Sequence, residues 1–278
     1  MKLDLRITPF RDGVASRALE GLVEAEVYLE PKPMTCIAPA AGVHRAPDAA
    51  SEQMDQILFG EPFDVLEEEA NGWVWGQARR DGYVGFVQAG ALAAIGAAPT
   101  HRVSAIRTYA FAGPSIKARA VGCYSINSLV SVTEVEGRLA KVEHAGWMPV
   151  EHLSPIGEFE DDPVAVAERF LGAPYLWGGR ESIGCDCSGL VQQAMLACGR
   201  GWPRDTDQQE KLGQAIDRQA FGRGDLVFWK GHMAMGIGDG RIVHANGHHM
   251  ATAIEPLDEA IARIEAAGYG APTSFRRP

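Results

Sequence analysis

The chain lacks any apolar run that approaches the ~20 residues a membrane-spanning helix needs. Positive charge is also scarce, since 26 Lys and Arg stand against 36 Asp and Glu, for a net charge of −10. This balance argues against a general nucleic-acid binder, which needs a basic face. The N-terminal stretch has Asp4, Arg6, Arg11 and Asp12 where a signal peptide would be apolar. We therefore expect a cytoplasmic protein with no membrane or nucleic-acid partner, and we take it to be a monomer.

Cysteine is sparse and irregularly spaced. The five cysteines, at positions 36, 123, 185, 187 and 198, form no C-x-x-C pair and no disulfide framework. Two of them, Cys185 and Cys187, lie one residue apart in front of a predicted helix. A zinc site there would need further ligands, such as His232 and His244. That alternative stays open.

Turn signals divide the first part of the chain into three segments. Residues 1–34 are interpreted as an arm in which ASRALEGLVEAEV could form a short helix. Residues 35–98 and 99–156 each carry alternating apolar runs around glycine turns, which is typical of β-hairpins; Asn71-Gly72 and Asp81-Gly82 are examples. The stretches GYVGFVQAGAL and HAGWMPVEHL follow one plan, which indicates that a small β module is duplicated.

Residues 157–278 show a different pattern, with helices before strands. DDPVAVAERFLGAPY offers a capping aspartate and Pro163 for its first turn. The runs DLVFW, HMAMGI and RIVHA predict strands, and LDEAIARIEAAG predicts a late helix. This order predicts an α+β domain that follows two small all-β modules.

Cys187 is the stronger candidate nucleophile of the two neighbouring thiols. Asp186 can cap a helix that stops at Gly199, so Cys187 takes the first helical position. The free N–H groups and the dipole of a helix start favour a thiolate and lower the pKa of a thiol. Cys185 lies before the cap and is interpreted as a small pocket-lining hydrophobe. The alternative for Cys187 is a buried structural thiol.

A cysteine nucleophile needs a base and a group that orients the base. Four of the eight histidines fall in KGHMAMGIGDGRIVHANGHHM. A three-residue loop at 238–240 would place His232 diagonally from His244 on one sheet face, within reach of the two imidazoles. A two-residue loop would put the histidines on opposite faces, because strand side chains alternate. The catalytic interpretation therefore requires the longer loop, with His232 within about 4 Å of the Cys187 sulfur.

Four motifs in order, APYLWGG…DCSGL, GDLVFW, HMAMGIGDG and IVHA, resemble the NlpC/p60 family of papain-like cell-wall peptidases over residues 160–245. The β modules resemble bacterial SH3-like domains. Together they look like γ-D-glutamyl-L-diamino acid endopeptidases. The resemblance implies hydrolysis of the bond between D-glutamate and meso-diaminopimelate or L-Lys in peptidoglycan-derived peptides with a free N-terminal L-Ala, in murein recycling, without cofactor or metal. An amidase or acyltransferase on the same fold, or a non-catalytic wall-binding protein, remain alternatives.

The resemblance also implies residue roles. Cys187 matches the nucleophile, His232 the general base, His244 the residue that orients the base, and Tyr175 a tyrosine that helps hold the oxyanion. The implied substrate-binding residues are Trp177, Asp186, Ser188, Asp205 and Thr206 near the cysteine, and Glu61 and Tyr83 in the first β module. Thr206 stands where the family usually has serine.

Glu61 and Tyr83 would read the positively charged amine of the substrate, for which a carboxylate and a hydroxyl are natural partners. One of Glu67, Glu68 and Glu69 could serve instead of Glu61. The alternative is that Glu61 is a solvated turn residue and Tyr83 a core aromatic of its module.

Overall fold

The structure is a computed structural model that describes residues 3–278. Its internal contacts divide the chain into an N-terminal unit that ends at Ile156 and a C-terminal unit, Gly157–Pro278. Within residues 3–278, every helix is too short or too polar to cross a membrane.

The N-terminal segment is β structure rather than the helix that we expected. Strands β1 (Phe10–Arg11), β2 (Val14–Ser16) and β3 (Val27–Leu29) form a three-stranded sheet. Among residues 3–34, helix is limited to one 3-10 turn, Arg17–Leu19. Gly21 follows with a φ of +80°, a conformation that a continuing α-helix does not contain. The helix prediction for this segment is therefore wrong.

The first β module has seven strands: β4 (Lys32–Cys36), β5 (Ala40–His44), β6 (Gln53–Leu58), β7 (Pro62–Glu68), β8 (Trp73–Ala78), β9 (Val84–Gln88) and β10 (Leu92–Ala94). They form one antiparallel sheet in the order β10-β4-β7-β8-β9-β5-β6. Both predicted glycine turns are present, Asn71-Gly72 between β7 and β8 and Asp81-Gly82 between β8 and β9.

The second β module has eight strands: β11 (His101–Val103), β12 (Arg107–Phe111), β13 (Ala120–Ser125), β14 (Leu129–Val130), β15 (Val132–Glu136), β16 (Leu139–Val142), β17 (Gly146–Pro149) and β18 (Leu153–Pro155). They form two sheets, one in the order β14-β11-β18 and one in the order β13-β12-β17-β16-β15. Phe59 packs edge-on against Tyr124 with 5.0 Å between ring centroids, so this core includes the residue that directly follows β6.

The C-terminal unit has the predicted α+β pattern. The helices are α1 (Pro163–Glu168), α2 (Cys187–Ala197), α3 (Thr206–Gln209) and α4 (Leu257–Ala266). The strands are β19 (Arg180–Glu181), β20 (Gly184–Cys185), β21 (Gln214–Ala215), β22 (Leu226–Trp229), β23 (His232–Gly238), β24 (Arg241–Asn246), β25 (Ala251–Pro256) and β26 (Ser274–Arg277). A six-stranded sheet runs in the order β21-β26-β22-β23-β24-β25, and β19 pairs with β20 in a separate ribbon.

Two helices pack on this sheet. Every residue of α2 is buried, and the helix packs against β23 and β24. The amphipathic α4 uses Leu257, Ile261 and Ile264 to cover a cluster that includes Val227 and Ile242. Helix α2 therefore starts beside the strand that begins at His232.

Candidate active site

Cys187 is the first residue of α2, as its capping pattern predicts. The Asp186 side chain accepts a hydrogen bond from the Gly189 N–H at 2.7 Å, which makes Asp186 the N-cap. Gly199 comes directly after the residue that closes the helix. The sequence alone therefore located both ends of this helix.

The surroundings of Cys187 keep its thiol neutral. Its Sγ lies 3.8 Å from Thr206 Oγ1, and the Met233 backbone N–H approaches it. Burial, together with the neighbouring Asp186 carboxylate, raises the pKa of Cys187 to about 11, although Thr206, Met233 and Arg204 act in the opposite direction. The expected lowering of this pKa is therefore wrong, because the loss of hydration outweighs the helix start.

Cys185 is a second buried thiol with a different environment. It is fully inaccessible, and its Sγ lies 3.5 Å from Thr252 Oγ1. Burial raises its pKa to about 12. Cys185 is therefore an interior residue, and it does not belong to the lining of the cavity beside His232, where the pocket-lining interpretation would place it.

The hairpin between β23 and β24 has a shorter loop than the catalytic interpretation required. Gly238 pairs with Arg241, which leaves Asp239 and Gly240 as a two-residue loop. Both loop residues have positive φ, as a type I′ turn demands. The strand register shifts at Ile237, so this one extra residue forms a β-bulge.

The bulge restores the register that a longer loop would have given. Met235 pairs with Val243, which puts Ala234 opposite His244 and His232 diagonally from it on the same face. His232 Nε2 lies 2.8 Å from His244 Nδ1. The expected juxtaposition of the two imidazoles is present, although the predicted loop length was wrong.

Both histidines are held in a neutral state. Burial, followed by the neighbouring His244 and Arg263, lowers the pKa of His232 to about 3, and the Glu255 charge acts in the opposite direction. Burial also lowers the pKa of His244, against the effect of its hydrogen bond with Glu255. An uncharged His232 can accept a proton, which is what a general base requires.

Glu255 is a site residue that the sequence did not reveal. Its Oε1 lies 2.7 Å from His244 Nε2, and it also forms an ion pair with Arg263 of α4. Burial acts to raise the pKa of Glu255, but His244 and Arg263 outweigh it and lower this pKa. The sequence does contain a signal for this residue. Glu255 belongs to the run ATAIEP, whose composition indicates a strand next to RIVHA.

These hydrogen bonds assign the tautomers. If Glu255 is ionised, His244 donates from Nε2 and its Nδ1 must accept. His232 then donates from Nε2 to that Nδ1. The remaining nitrogen of His232, Nδ1, carries no proton.

His232 and Cys187 lie near each other in space, but they are not hydrogen-bonded to each other. Within residues 3–278, the polar groups at the Cys187 sulfur are the Thr206 hydroxyl and the N–H of Met233, the residue after His232. The expected approach of His232 to within about 4 Å of the sulfur stays a prediction. Catalytic hydrogen bonds commonly tighten only when substrate binds.

Tyr175 lies beside this group. Its backbone N–H donates to Met250 at 2.9 Å, and its backbone bridges to Cys185. Burial, then the neighbouring Cys187 and Asp186, raises the pKa of the phenol, so the hydroxyl stays a hydrogen-bond donor. Trp177 is 58 % exposed and lines the same cavity as Tyr175 and His232.

Asp186 and Ser188 have internal partners. Arg204 pairs with both oxygens of Asp186, at 2.9 and 2.6 Å, and also donates to Ser188 Oγ at 2.9 Å. All three residues are buried. Their arrangement supports the start of α2, and direct substrate contact stays a prediction for Asp186 and Ser188.

Asp205 and Thr206 form the start of α3. Asp205 is the N-cap and forms a capping box with Gln208. Thr206 directs its hydroxyl at the Cys187 sulfur, so the family position occupied here by threonine does adjoin the thiol.

Glu61 and Tyr83 belong to the N-terminal unit. Glu61 is fully buried, accepts from the Leu58 N–H at 3.0 Å and pairs with Arg80 at 3.1 Å, so it is not a solvated turn residue. Tyr83 packs in the core of its module, which fits the core-aromatic alternative. Recognition of a substrate amine by these two residues stays a prediction.

A group with metal-ligand chemistry also occurs in the described part of the chain. One ligand atom each from His244, His249 and Glu255 lie within 4.8 Å of one another. This group contains neither Cys185 nor Cys187, the two cysteines for which a zinc site is the alternative interpretation. His244 and Glu255 are already hydrogen-bonded to each other, and the Glu255 carboxylate also forms an ion pair with Arg263.

Comparison with known proteins gives two family matches. Residues 172–266 match the NlpC/P60 family, and residues 43–92 match the bacterial dipeptidyl-peptidase Sh3 domain. A solved NlpC/P60 family protein from Bacillus cereus superposes with a TM-score of 0.74 over 88 % of this chain and 99 % of that one, at 21 % identity. At that identity the likeness establishes the fold.

Curated relatives are similar over different lengths. Dipeptidyl-peptidase 6 of Lysinibacillus sphaericus is 27 % identical over 80 % of this chain and 91 % of its own length. A gamma-D-glutamyl-L-lysine dipeptidyl-peptidase of Bacillus cereus is 37 % identical over 35 % of this chain, and the match spans only 32 % of that relative.

A cysteine at the start of a buried helix, beside a histidine pair on the adjacent sheet, defines the C-terminal unit as a papain-like cysteine peptidase domain. It belongs to the NlpC/P60 family, and a bacterial dipeptidyl-peptidase SH3 domain precedes it in the chain.

Proposed function

We propose that the protein is a cysteine endopeptidase that hydrolyses the bond between the γ-carboxyl of D-glutamate and a diamino acid in peptidoglycan-derived peptides with a free N-terminal L-Ala. The observation that carries this proposal is the hydrogen-bonded series from His232 through His244 to Glu255, next to Cys187. The names of the relatives support the substrate class. A role in murein recycling stays a prediction.

The neutral thiol and neutral imidazole decide how the reaction starts. Burial raises the pKa of the Cys187 thiol and lowers the pKa of the His232 imidazole, and both directions favour a neutral pair over a thiolate–imidazolium pair at rest. We propose that His232 Nδ1 removes the thiol proton as the sulfur attacks the γ-carbonyl carbon. The imidazolium that forms is stabilised through His244 by the Glu255 charge.

The tetrahedral intermediate places negative charge on the former carbonyl oxygen. The backbone N–H of Cys187 and the Tyr175 hydroxyl are the donors we assign to it, each worth roughly 3–4 kcal/mol in known cases. His232 then protonates the amine of the diamino acid as the C–N bond breaks. A water molecule, deprotonated by His232, attacks the thioester and releases L-Ala-γ-D-Glu.

The proposal is tested with L-Ala-γ-D-Glu-meso-diaminopimelate. The purified protein should release free diaminopimelate, detected by mass spectrometry, and Cys187→Ala should release none. A matched peptide with an acetylated alanine should be cleaved poorly if Glu61 and Tyr83 read the free amine. The same assay is run with L-Ala-γ-D-Glu-L-Lys, and failure of the unmutated protein to release either diamino acid would refute the proposed function.

A further inference from the structure

A cavity of about 520 Å³ opens beside His232 in the C-terminal unit. Tyr175 and His232 belong to its lining, whereas Thr206, which contacts the Cys187 sulfur, does not. Aromatic side chains form much of its wall: Trp177, Trp229 and Tyr269. The cavity therefore adjoins the base and lies apart from the side of the thiol that faces α3.

The charged side chains that line this cavity are basic. They are Lys230 and Arg263, and no Asp or Glu of residues 3–278 belongs to the lining, although acidic residues outnumber basic ones by 36 to 26 in the whole chain. Lys230 is exposed, and no carboxylate of residues 3–278 lies within ion-pair distance of it. Arg263 reaches the cavity while it pairs with Glu255.

The two basic side chains of the lining are hydrogen-bond donors. Lys230 offers an ammonium group and Arg263 a guanidinium group. Charge-assisted hydrogen bonds from such groups match a carboxylate.

The reaction chemistry places the leaving residue here. His232 protonates the amine that departs, so the residue carrying that amine must lie on the His232 side of the scissile bond. We propose that this basic cavity binds the α-carboxylate of the released diamino acid, so that peptides ending at that residue are preferred substrates. The inference rests on the proposed function and adds a specificity-determining residue, Lys230.

The test compares two peptides that differ in one group, L-Ala-γ-D-Glu-L-Lys and its C-terminal carboxamide. The unmutated protein should cleave the carboxylate peptide with kcat/KM at least about tenfold higher, the factor expected for a hydrogen bond to a charged group. Lys230→Met should reduce that preference severalfold by slowing cleavage of the carboxylate peptide alone. Lys211→Met, an exposed lysine outside the cavity, should leave the preference unchanged.

The outcomes separate the two proposals. Equal cleavage of both peptides would overturn the inference and leave the proposed function standing. Full preference retained in Lys230→Met would overturn the role of Lys230. Preference for the meso-diaminopimelate peptide over the lysine peptide, with no effect of amidation, would show that the enzyme recognises the second carboxylate of diaminopimelate instead. That result would also overturn the inference. Failure to cleave any of them would remove the proposed function and the inference with it.

Discussion

His244 donates its Nε2–H to Glu255 over 2.7 Å, and this bond sets the proton positions of both histidines. Without an acceptor at Nε2, His244 could place its proton on Nδ1 and face His232 with a donor. His232 would then have to accept at Nε2 and carry its proton on Nδ1, where it could not take one from Cys187. Glu255 is thus a positioning residue of the proposed mechanism.

Glu255→Gln should lower kcat by about 10- to 100-fold, by analogy with the range seen when the hydrogen-bond partner of a metal-ligating histidine is removed. KM should change little, because Glu255 would not touch the substrate. Glu255→Asp should recover part of the loss. Steady-state kinetics on the diaminopimelate peptide measures both constants. Glu259→Gln, an exposed change on the same helix as Arg263, is the control and should be neutral. Unchanged kcat in Glu255→Gln would contradict the assignment.

The two neighbouring thiols should behave differently on substitution. Cys187→Ala should abolish turnover, whereas Cys185→Ala should retain much of it, since Cys185 precedes the N-cap and its sulfur lies against Thr252. Peptide mapping after iodoacetamide treatment gives a second measurement. Because the pKa of Cys187 is about 11, its labelling in the free protein should be slow at mildly acidic pH and should rise with pH. Fast labelling of Cys187 at pH 6 would show that its thiolate is stabilised after all.

Acid should destabilise the C-terminal unit through His232. Its pKa falls from 6.5 to about 3 on folding, so the unfolded chain binds a proton below pH 6.5 that the folded chain excludes. The contribution of His232 to the free energy of unfolding is therefore fully present above pH 6.5. It is lost as the pH falls towards 3, by up to about 1.4 kcal/mol per pH unit. Urea unfolding at pH 7 and pH 5 measures the loss. His232→Gln should show a smaller difference between the two pH values, and an equal difference would contradict this origin.

The buried pair of Arg204 and Asp186 should matter for stability. Arg204→Met leaves the Asp186 carboxylate buried without its cation, which typically costs about 3–5 kcal/mol. Thermal unfolding should show a clear fall in melting temperature. Arg200→Met, at an exposed position four residues earlier, should have little effect. If Asp186 served mainly to contact substrate, Arg204→Met would change KM and leave the melting temperature in place.

Local signals in the sequence determined several features of this protein. Asp186 before Cys187 and Gly199 after the helix define α2, because capping involves residues only a few positions apart. Asp239-Gly240 is a strong turn signal, and the alternating runs around it define β23 and β24. The order of helices and strands likewise predicted the α+β class.

The tertiary structure decided what depends on distant parts of the chain. The bulge at Ile237 arises from the pairing of two strands, so counting loop residues could not reveal it. Glu255 meets His244 only because β25 pairs with β24, and Arg263 reaches it from the following helix. The pKa of Cys187 rises because the packed sheet and α3 exclude water from a helix start that would favour a thiolate in solvent. Capping is a short-range effect that the sequence carries, whereas burial and strand register are long-range effects that only the folded chain sets.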